Sequence, residues 1–113
     1  MSNMRLPGLH ERRIEICNEI SGIETMRRGT VNEFYYNSTL KDGTIKMRGP
    51  FYNITTNGKN NKTITQSLPK KDVDQAKHDT DNYKKFRELS AEYVDICEEI
   101  AFLTHSDDEA KKN

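Results

Sequence analysis

The sequence between Thr30 and Leu68 changes character, and this change limits the possible folds more than any other feature of the chain. The segment is rich in Val, Ile, Phe, Tyr and Thr, which suit the pleated surface of a β-strand. Two turn signals divide it, Asp42-Gly43 and the run from Asn57 to Asn61. The sequence therefore predicts a three-stranded antiparallel β-meander over residues 30–68.

Within the meander we expect strands over residues 31–39, 45–56 and 62–68. Gly49-Pro50 interrupts the second strand, and because proline donates no backbone hydrogen bond, we expect a bend, a bulge or an edge position there. Strand alternation places Tyr52 and Ile54 on one face, which is apolar enough to pack on a helix. The opposite face is rich in hydroxyl groups and carries Phe51, Asn53, Thr55, Thr63, Thr65 and Ser67.

Apolar residues at helical spacing flank the meander on both sides. Before it they predict a helix over residues 9–27, with Gly29 as its stop. After it, Pro69 opens a long helix predicted over residues 70–104. The expected fold class is α+β: an N-terminal helix, the meander, and a long C-terminal helix packed antiparallel to the first. We expect a single domain over 9–104, with a flexible tail at 1–8 and a charged tail at 105–113.

The long helix carries apolar residues at alternating spacings of three and four, which is the pattern of a coiled-coil seam. The first helix is too short to cover this whole seam, and an uncovered apolar stripe is costly in water. The seam therefore predicts a homodimer or another partner helix. Its residues are Phe86, Leu89, Tyr93, Ile96, Ile100 and Leu103.

Charge is distributed unevenly, although the net charge of the chain is zero. Residues 34–71 hold seven bases against one acid, a net charge of +6. Such an imbalance favours an acidic partner such as DNA or RNA, or pairing with the acidic C-terminal helix. The candidate nucleic-acid-binding residues are Arg27, Arg28, Lys46, Arg48, Lys59, Lys62, Lys70 and Lys71.

Two of these features have a structural alternative. Tyr and Phe side chains of the meander can stack on bases, but we expect most of them to form the sheet's half of a small core. Arg27-Arg28 can bind a phosphate, but the pair would also be favoured at a helix C-terminus. The aromatic side chains are Phe34, Tyr35, Tyr36, Phe51 and Tyr52.

Catalysis is not expected from this sequence. His10, His78 and His105 are scattered, and no Cys or carboxylate lies at metal-ligand spacing from them. We therefore predict no catalytic residue, metal, cofactor or small-molecule substrate. No apolar run approaches the length of a membrane span, so we expect no membrane partner and a cytoplasmic protein. Cys17 and Cys97 would then be reduced, buried thiols.

Four short motifs follow one another along the chain: Arg27-Arg28-Gly29-Thr30-Val31, Gly49-Pro50-Phe51-Tyr52, Gly58-Lys59 and Leu68-Pro69-Lys70-Lys71. Their order resembles a family of small uncharacterised prokaryotic proteins, some of them found near mobile-element genes. The resemblance implies a helix, a short sheet and a long helix, with no established activity. Many family members carry a cysteine cluster between the first strand and the motif Gly49-Pro50-Phe51-Tyr52, but this chain has no Cys there, over residues 37–48, so a metal role does not carry over.

Two functions follow as hypotheses. The first is a non-catalytic accessory protein that binds nucleic acid through the basic meander. The alternative is a homodimeric assembly or adaptor module that uses the seam of the long helix.

Overall fold

The structure is a computed structural model that describes residues 4–112, and the side chains of residues 4–105. It confirms the predicted α+β class and order of elements. The chain divides into two compact units, residues 4–24 with 84–112, and Thr25–Tyr83. The single domain predicted over 9–104 stays a prediction. The elements are α1 (Arg5–Ser21), β1 (Thr30–Thr39), β2 (Ile45–Asn57), β3 (Thr63–Leu68) and α2 (Val73–Lys112), with 3-10 turns at Lys59–Asn61 and Lys70–Asp72.

The first unit is an antiparallel pair of helices, α1 and the part of α2 from residue 84 onward. Ile16 is fully buried in a cluster with Leu89 and Ile96. The Arg12 guanidinium donates two hydrogen bonds to the Glu92 carboxylate, at 2.6 and 2.9 Å. Nearer the start of α1, Arg5 pairs with Glu99. Lower numbers on α1 meet higher numbers on α2, so the helices run in opposite directions as predicted.

Helix α1 lies four to six residues nearer the N-terminus than predicted. It includes Pro7, which the first turn tolerates because N–H groups there have no partner within the helix. It ends before Gly22, a poor helix former. The prediction that it continues to residue 27 is wrong because tertiary hydrogen bonds hold the next segment: Arg27 N–H donates to the Asp79 carbonyl, and the Asn82 amide donates to the Thr25 carbonyl.

Helix α2 starts later and ends later than predicted. Residues 70–72 form a 3-10 turn closed by a hydrogen bond from Asp72 N–H to the Pro69 carbonyl. The α-helix then runs to Lys112, so the segment predicted as a charged tail from His105 is helical as far as the structure describes it. Ala110, Lys111 and Lys112 are good helix formers, which agrees with this extension.

The second unit contains the antiparallel sheet, in the order β1-β2-β3. β3 pairs only with the end of β2, from Tyr52 to Asn57. The rest of the β1–β2 hairpin, residues 34–51, has no third strand beside it, and we call it the ribbon. A bulge lies within the ribbon, where Gly49 and Pro50 occupy the space opposite Tyr35. The Gly49–Pro50 peptide bond is cis. A bulge was among the predicted possibilities at this position.

One face of the sheet packs on the start of α2, and we call it the closed face. Ile54 is almost fully buried there, and Leu68 lies in a cluster with Val73 and Ala76 of the helix. Tyr52 packs against the same cluster. The predicted alternation of Tyr52 and Ile54 toward a helix is therefore confirmed, and this burial is the main apolar contribution to the second unit.

Candidate functional site

The opposite face of the sheet, which we call the open face, is the candidate site. Paired residues of antiparallel strands project to the same side, so the register assigns its members. Phe34 pairs with Phe51, Asn32 with Asn53, and Tyr36 with Arg48. The open face comprises Thr30, Asn32, Phe34, Tyr36, Ser38, Lys46, Arg48, Phe51, Asn53, Thr55, Asn57, Thr63, Thr65 and Ser67.

The bulge decides which side chains of β2 reach the open face. Strict alternation from Phe51 would place Met47 on this side and Arg48 on the other. The extra residue in β2 shifts the alternation, so Arg48 lies opposite Tyr36, and Lys46 lies opposite Ser38. Two cations are thereby placed on the same face as Phe51. The three strands are described in full, and no Asp or Glu lies on their open face.

Three exposed aromatic side chains form a cluster on this face. Phe34, Tyr36 and Phe51 keep 40%, 50% and 38% of their surface accessible. The Tyr36 and Phe51 rings are stacked, with centroids 5.0 Å apart and planes 17° apart. The Phe34 and Phe51 centroids are 5.8 Å apart. The prediction that most of the meander's aromatic residues are core is wrong, because the ribbon has neither a third strand nor a helix over it; Tyr52 alone packs against a core cluster.

A row of amide and hydroxyl groups continues the open face beyond the aromatic cluster. The Asn32 side-chain nitrogen donates to Asn53 Oδ1 and to Thr55 Oγ1, both at 2.8 Å. These bonds leave two side-chain atoms for a ligand: Asn53 Nδ2 as a donor and Asn32 Oδ1 as an acceptor. Alternation within β2 predicted Asn53 and Thr55 on this face. Phe34 and Tyr36 were predicted only as aromatic residues that mostly belong to a core, and Asn32 was not predicted at all. Alternation within β1, aligned on Phe51, was the signal that could have found them.

The structure does not bring the other predicted cations to the open face. Lys59 and Lys62 lie in the β2–β3 turn, and Lys70 and Lys71 lie in the 3-10 turn before α2; all four are exposed. Of the eight candidate nucleic-acid-binding residues, Lys46 and Arg48 alone therefore share a face with the aromatic cluster.

Arg27 and Arg28 are held by other contacts. The Arg27 guanidinium donates to Gln66 Oε1 at 3.1 Å, and Gln66 belongs to the closed-face side of β3. The Arg28 guanidinium lies 6.0 Å from the centroid of the Tyr83 ring, within the range of a cation–π contact. The alternative placement of this pair at a helix C-terminus is wrong, because α1 ends at Ser21.

Asp79 joins Arg27 and Thr25 in a small polar cluster. The Thr25 hydroxyl donates to Asp79 Oδ1 at 2.6 Å, and Gln75 Nε2 donates to the same oxygen at 2.9 Å. The Thr25 hydrogen bond, supported by Gln75 and by the charge of Arg27, holds the pKa of the Asp79 carboxyl below its usual range.

This depressed pKa predicts a pH dependence of stability. The contribution of Asp79 is present above its unfolded pKa, about 3.9, and is lost as the pH falls through its lower folded pKa. We expect Asp79→Asn, which removes the titrating group, to lose less stability than the unmodified chain between neutral and acidic pH. The difference is measured by urea unfolding midpoints of both proteins, at neutral pH and at a pH below about 3.9. Parallel changes in the two proteins would contradict the assignment.

The seam of α2 lies largely against α1. Leu89 and Ile96 are buried with Ile16, and Tyr93 and Ile100 pack against this cluster. Phe86 and Leu103 are half-buried. Much of the apolar surface used to predict a homodimer is thus covered within the chain, and the homodimer stays a prediction.

The two cysteines differ from the expectation of buried thiols. Cys17 is exposed and Cys97 is half-buried; both are free. Cys17 is exposed because α1 packs through Ile16 and Ile20, and the next position along a helix points about 100° away.

Other kinds of site find little support in the described part of the chain. A shallow depression between the end of β3 and the start of α2 is lined by Arg27, Asp72, Gln75 and Asp79. Among the described residues, no group of three or more His, Cys, Asp or Glu side chains is placed to hold a metal ion. No described helix combines the length and the apolar character that crossing a membrane requires.

Comparisons with protein-family models, with curated proteins and with solved structures find no match to this chain. The family resemblance noted from its short motifs therefore stays a prediction.

Proposed function

We propose that the protein binds nucleic acid through the open face of its sheet. The observation that carries this proposal is the bulge at Gly49-Pro50, which places Lys46 and Arg48 on the same face as Phe51 and Tyr36. Cations bind phosphate, aromatic rings stack on bases, and amide groups hydrogen-bond to base edges. The open face presents all three kinds of group side by side.

The charge of this surface favours a polyanion over a neutral partner. Lys46 and Arg48 are exposed, and the open face carries no carboxylate to neutralise them. The nearest acid of β1, Glu33, lies on the other side of the sheet, where its carboxylate accepts a hydrogen bond from the Tyr35 hydroxyl at 2.9 Å. Lys59, Lys62, Lys70 and Lys71 add positive charge to the same unit.

The test is the double variant Lys46→Gln/Arg48→Gln, compared with the unmodified protein in salt titrations. Each phosphate contact contributes about 0.7 to 0.9 to the slope of log affinity against log salt. Loss of both contacts should therefore make this negative slope shallower by about 1.4 to 1.8 and weaken binding at low salt. Fluorescence anisotropy of a labelled oligonucleotide measures both quantities.

A second double variant supplies the control for this test. Lys84→Gln/Lys85→Gln removes two exposed positive charges from α2, in the other unit. It should leave the slope and the affinity nearly unchanged. Equal losses in the two double variants would indicate a general effect of net charge, and absence of binding by the unmodified protein at low salt and micromolar concentration would overturn the proposal.

A further inference from the structure

We infer that the ligand of the open face is single-stranded nucleic acid, with unpaired bases stacked on the aromatic cluster of Phe34, Tyr36 and Phe51. This inference rests on the proposed function, because it names the class of nucleic acid that the same site would take. It depends on three features of the open face: accessible rings, the position of the cations, and the character of the ribbon's other side.

The three rings of the aromatic cluster are exposed and lie next to one another. All three lie on one side of the ribbon within 5.8 Å of a neighbouring ring, and between 38% and 50% of each residue is exposed. Exposed apolar side chains that lie side by side favour a role in binding. A base stacked on such a ring covers its apolar surface while the sugar and phosphate remain in water.

The order of groups along the open face matches the parts of a nucleotide. Arg48 and Lys46 lie toward the tip of the ribbon, the aromatic cluster follows, and Asn32 with Asn53 lies beyond it. A strand with its phosphates near the cations would place bases over the rings. Asn53 Nδ2, a donor, and Asn32 Oδ1, an acceptor, then lie where base edges can reach them.

Double-stranded nucleic acid would use this face poorly. A duplex presents phosphates and base edges, but it keeps the flat faces of its bases stacked within the helix. A two-stranded ribbon can enter a major groove, but both of its sides then meet polar surface. The other side of this ribbon carries Tyr35, Ile45 and Met47, of which the last two are 66% exposed. Because this second side is apolar, binding of a single strand to the open face is favoured over insertion of the ribbon into the groove of a duplex.

The direct test places a reporter in the aromatic cluster. The chain contains no Trp, so Phe51→Trp introduces a single indole at the site. Titration with oligothymidylate should quench its fluorescence, because a stacked base lies against the ring. The same oligonucleotide paired with oligoadenylate should bind at least about tenfold more weakly and quench less.

Variants of the rings test the same inference by affinity. Tyr36→Leu should weaken binding of oligothymidylate by roughly 5- to 150-fold, the range for loss of one stacked base. Tyr36→Phe keeps the ring and should retain binding, which separates stacking from a structural defect. Tyr35→Leu is the matched control, because Tyr35 is equally exposed, at 50%, but lies on the other side of the ribbon.

The outcomes distinguish the two proposals. If neither the single strand nor the duplex binds, the proposed function fails. If the duplex binds as tightly as the single strand, or if Tyr36→Leu and Tyr35→Leu behave alike, the protein binds nucleic acid but the inference of single-strand stacking is overturned.

Discussion

Replacing Ile16 with alanine is expected to lower the free energy of unfolding of the first unit, the helical unit formed by α1 and the part of α2 from residue 84 onward, by about 2–5 kcal/mol. Ile16 is 0% exposed and lies in the buried cluster with Leu89 and Ile96, so the substitution leaves a cavity that the two helices can close only in part. Small domains are stable by about 5–15 kcal/mol, so this loss is a large share of the total. Urea unfolding followed by circular dichroism measures the change.

A second isoleucine of the same helix provides the control for Ile16. Ile14 is 53% exposed, so Ile14→Ala makes the same chemical change without a cavity and should alter stability by no more than about 0.5 kcal/mol. Ile16→Val should cost about 0.5–1.5 kcal/mol and keeps the test usable if Ile16→Ala does not fold. Equal unfolding midpoints for Ile14→Ala and Ile16→Ala would show that the helical unit does not depend on this cluster.

The sequence predicts the core of the helical unit well because local geometry determines the pattern. Residues at spacings of three and four share one side of a helix, so Ile16, Leu89 and Ile96 can be assigned to a buried stripe without knowledge of the rest of the chain. The same holds for Tyr52 and Ile54, whose alternation belongs to a strand. In these places the period of the sequence and the observed packing agree.

The end of α1 could not be predicted in this way. Residues 22–27 include no strong helix breaker except Gly22, and the helical spacing of apolar residues continues through Ile23. Tertiary hydrogen bonds hold this segment away from a helix: Asp79 accepts from the Thr25 hydroxyl and from Arg27 N–H, and the Asn82 side chain donates to the Thr25 carbonyl. These partners lie more than fifty positions along the chain. A local pattern carries no information about such partners.

The candidate site was predicted only in part, for a related reason. The positive charge of the meander can be counted from the sequence, but the side on which Arg48 lies depends on the bulge. Whether Tyr36 and Phe51 are buried depends on the short length of β3, which ends at Leu68, opposite Tyr52, and leaves the ribbon uncovered. Both facts concern the pairing of strands and not their composition.

The ribbon carries the proposed binding site, and its few buried contacts predict a low local stability. A hairpin without a third strand or a packed face is marginally stable in water, and the regions that open first are those with few buried contacts. The pairing of β1 with β2 holds the ribbon together, and the stacked rings of Tyr36 and Phe51 add a side-chain contact across the bulge. A substitution at the bulge should therefore affect the shape of the ribbon and its binding together.

Gly49→Ala is expected to unfold the ribbon locally and to weaken nucleic-acid binding at least as much as Lys46→Gln/Arg48→Gln does. Gly49 has φ +138°, a conformation that costs a residue with a side chain about 1–3 kcal/mol. An added Cβ would also lie 2.6 Å from Cδ1 of Tyr35 and 3.0 Å from the carbonyl oxygen of Phe34. Hydrogen exchange of the ribbon amides should accelerate, while amides of Val31 and Ile54 on the packed part of the sheet remain protected.

The control for Gly49→Ala is a glycine with a similar backbone and open surroundings. Gly43, in the turn at the tip of the ribbon, has φ +88°, but an added Cβ there would meet no atom within 4 Å. Gly43→Ala should therefore show the cost of the backbone conformation alone, with a smaller increase in exchange and with Lys46 and Arg48 still on the open face. If both variants bind nucleic acid like the unmodified protein, the bulge does not position these cations for binding. If both lose binding equally, backbone strain in the hairpin, and not the contact with Tyr35, controls the ribbon.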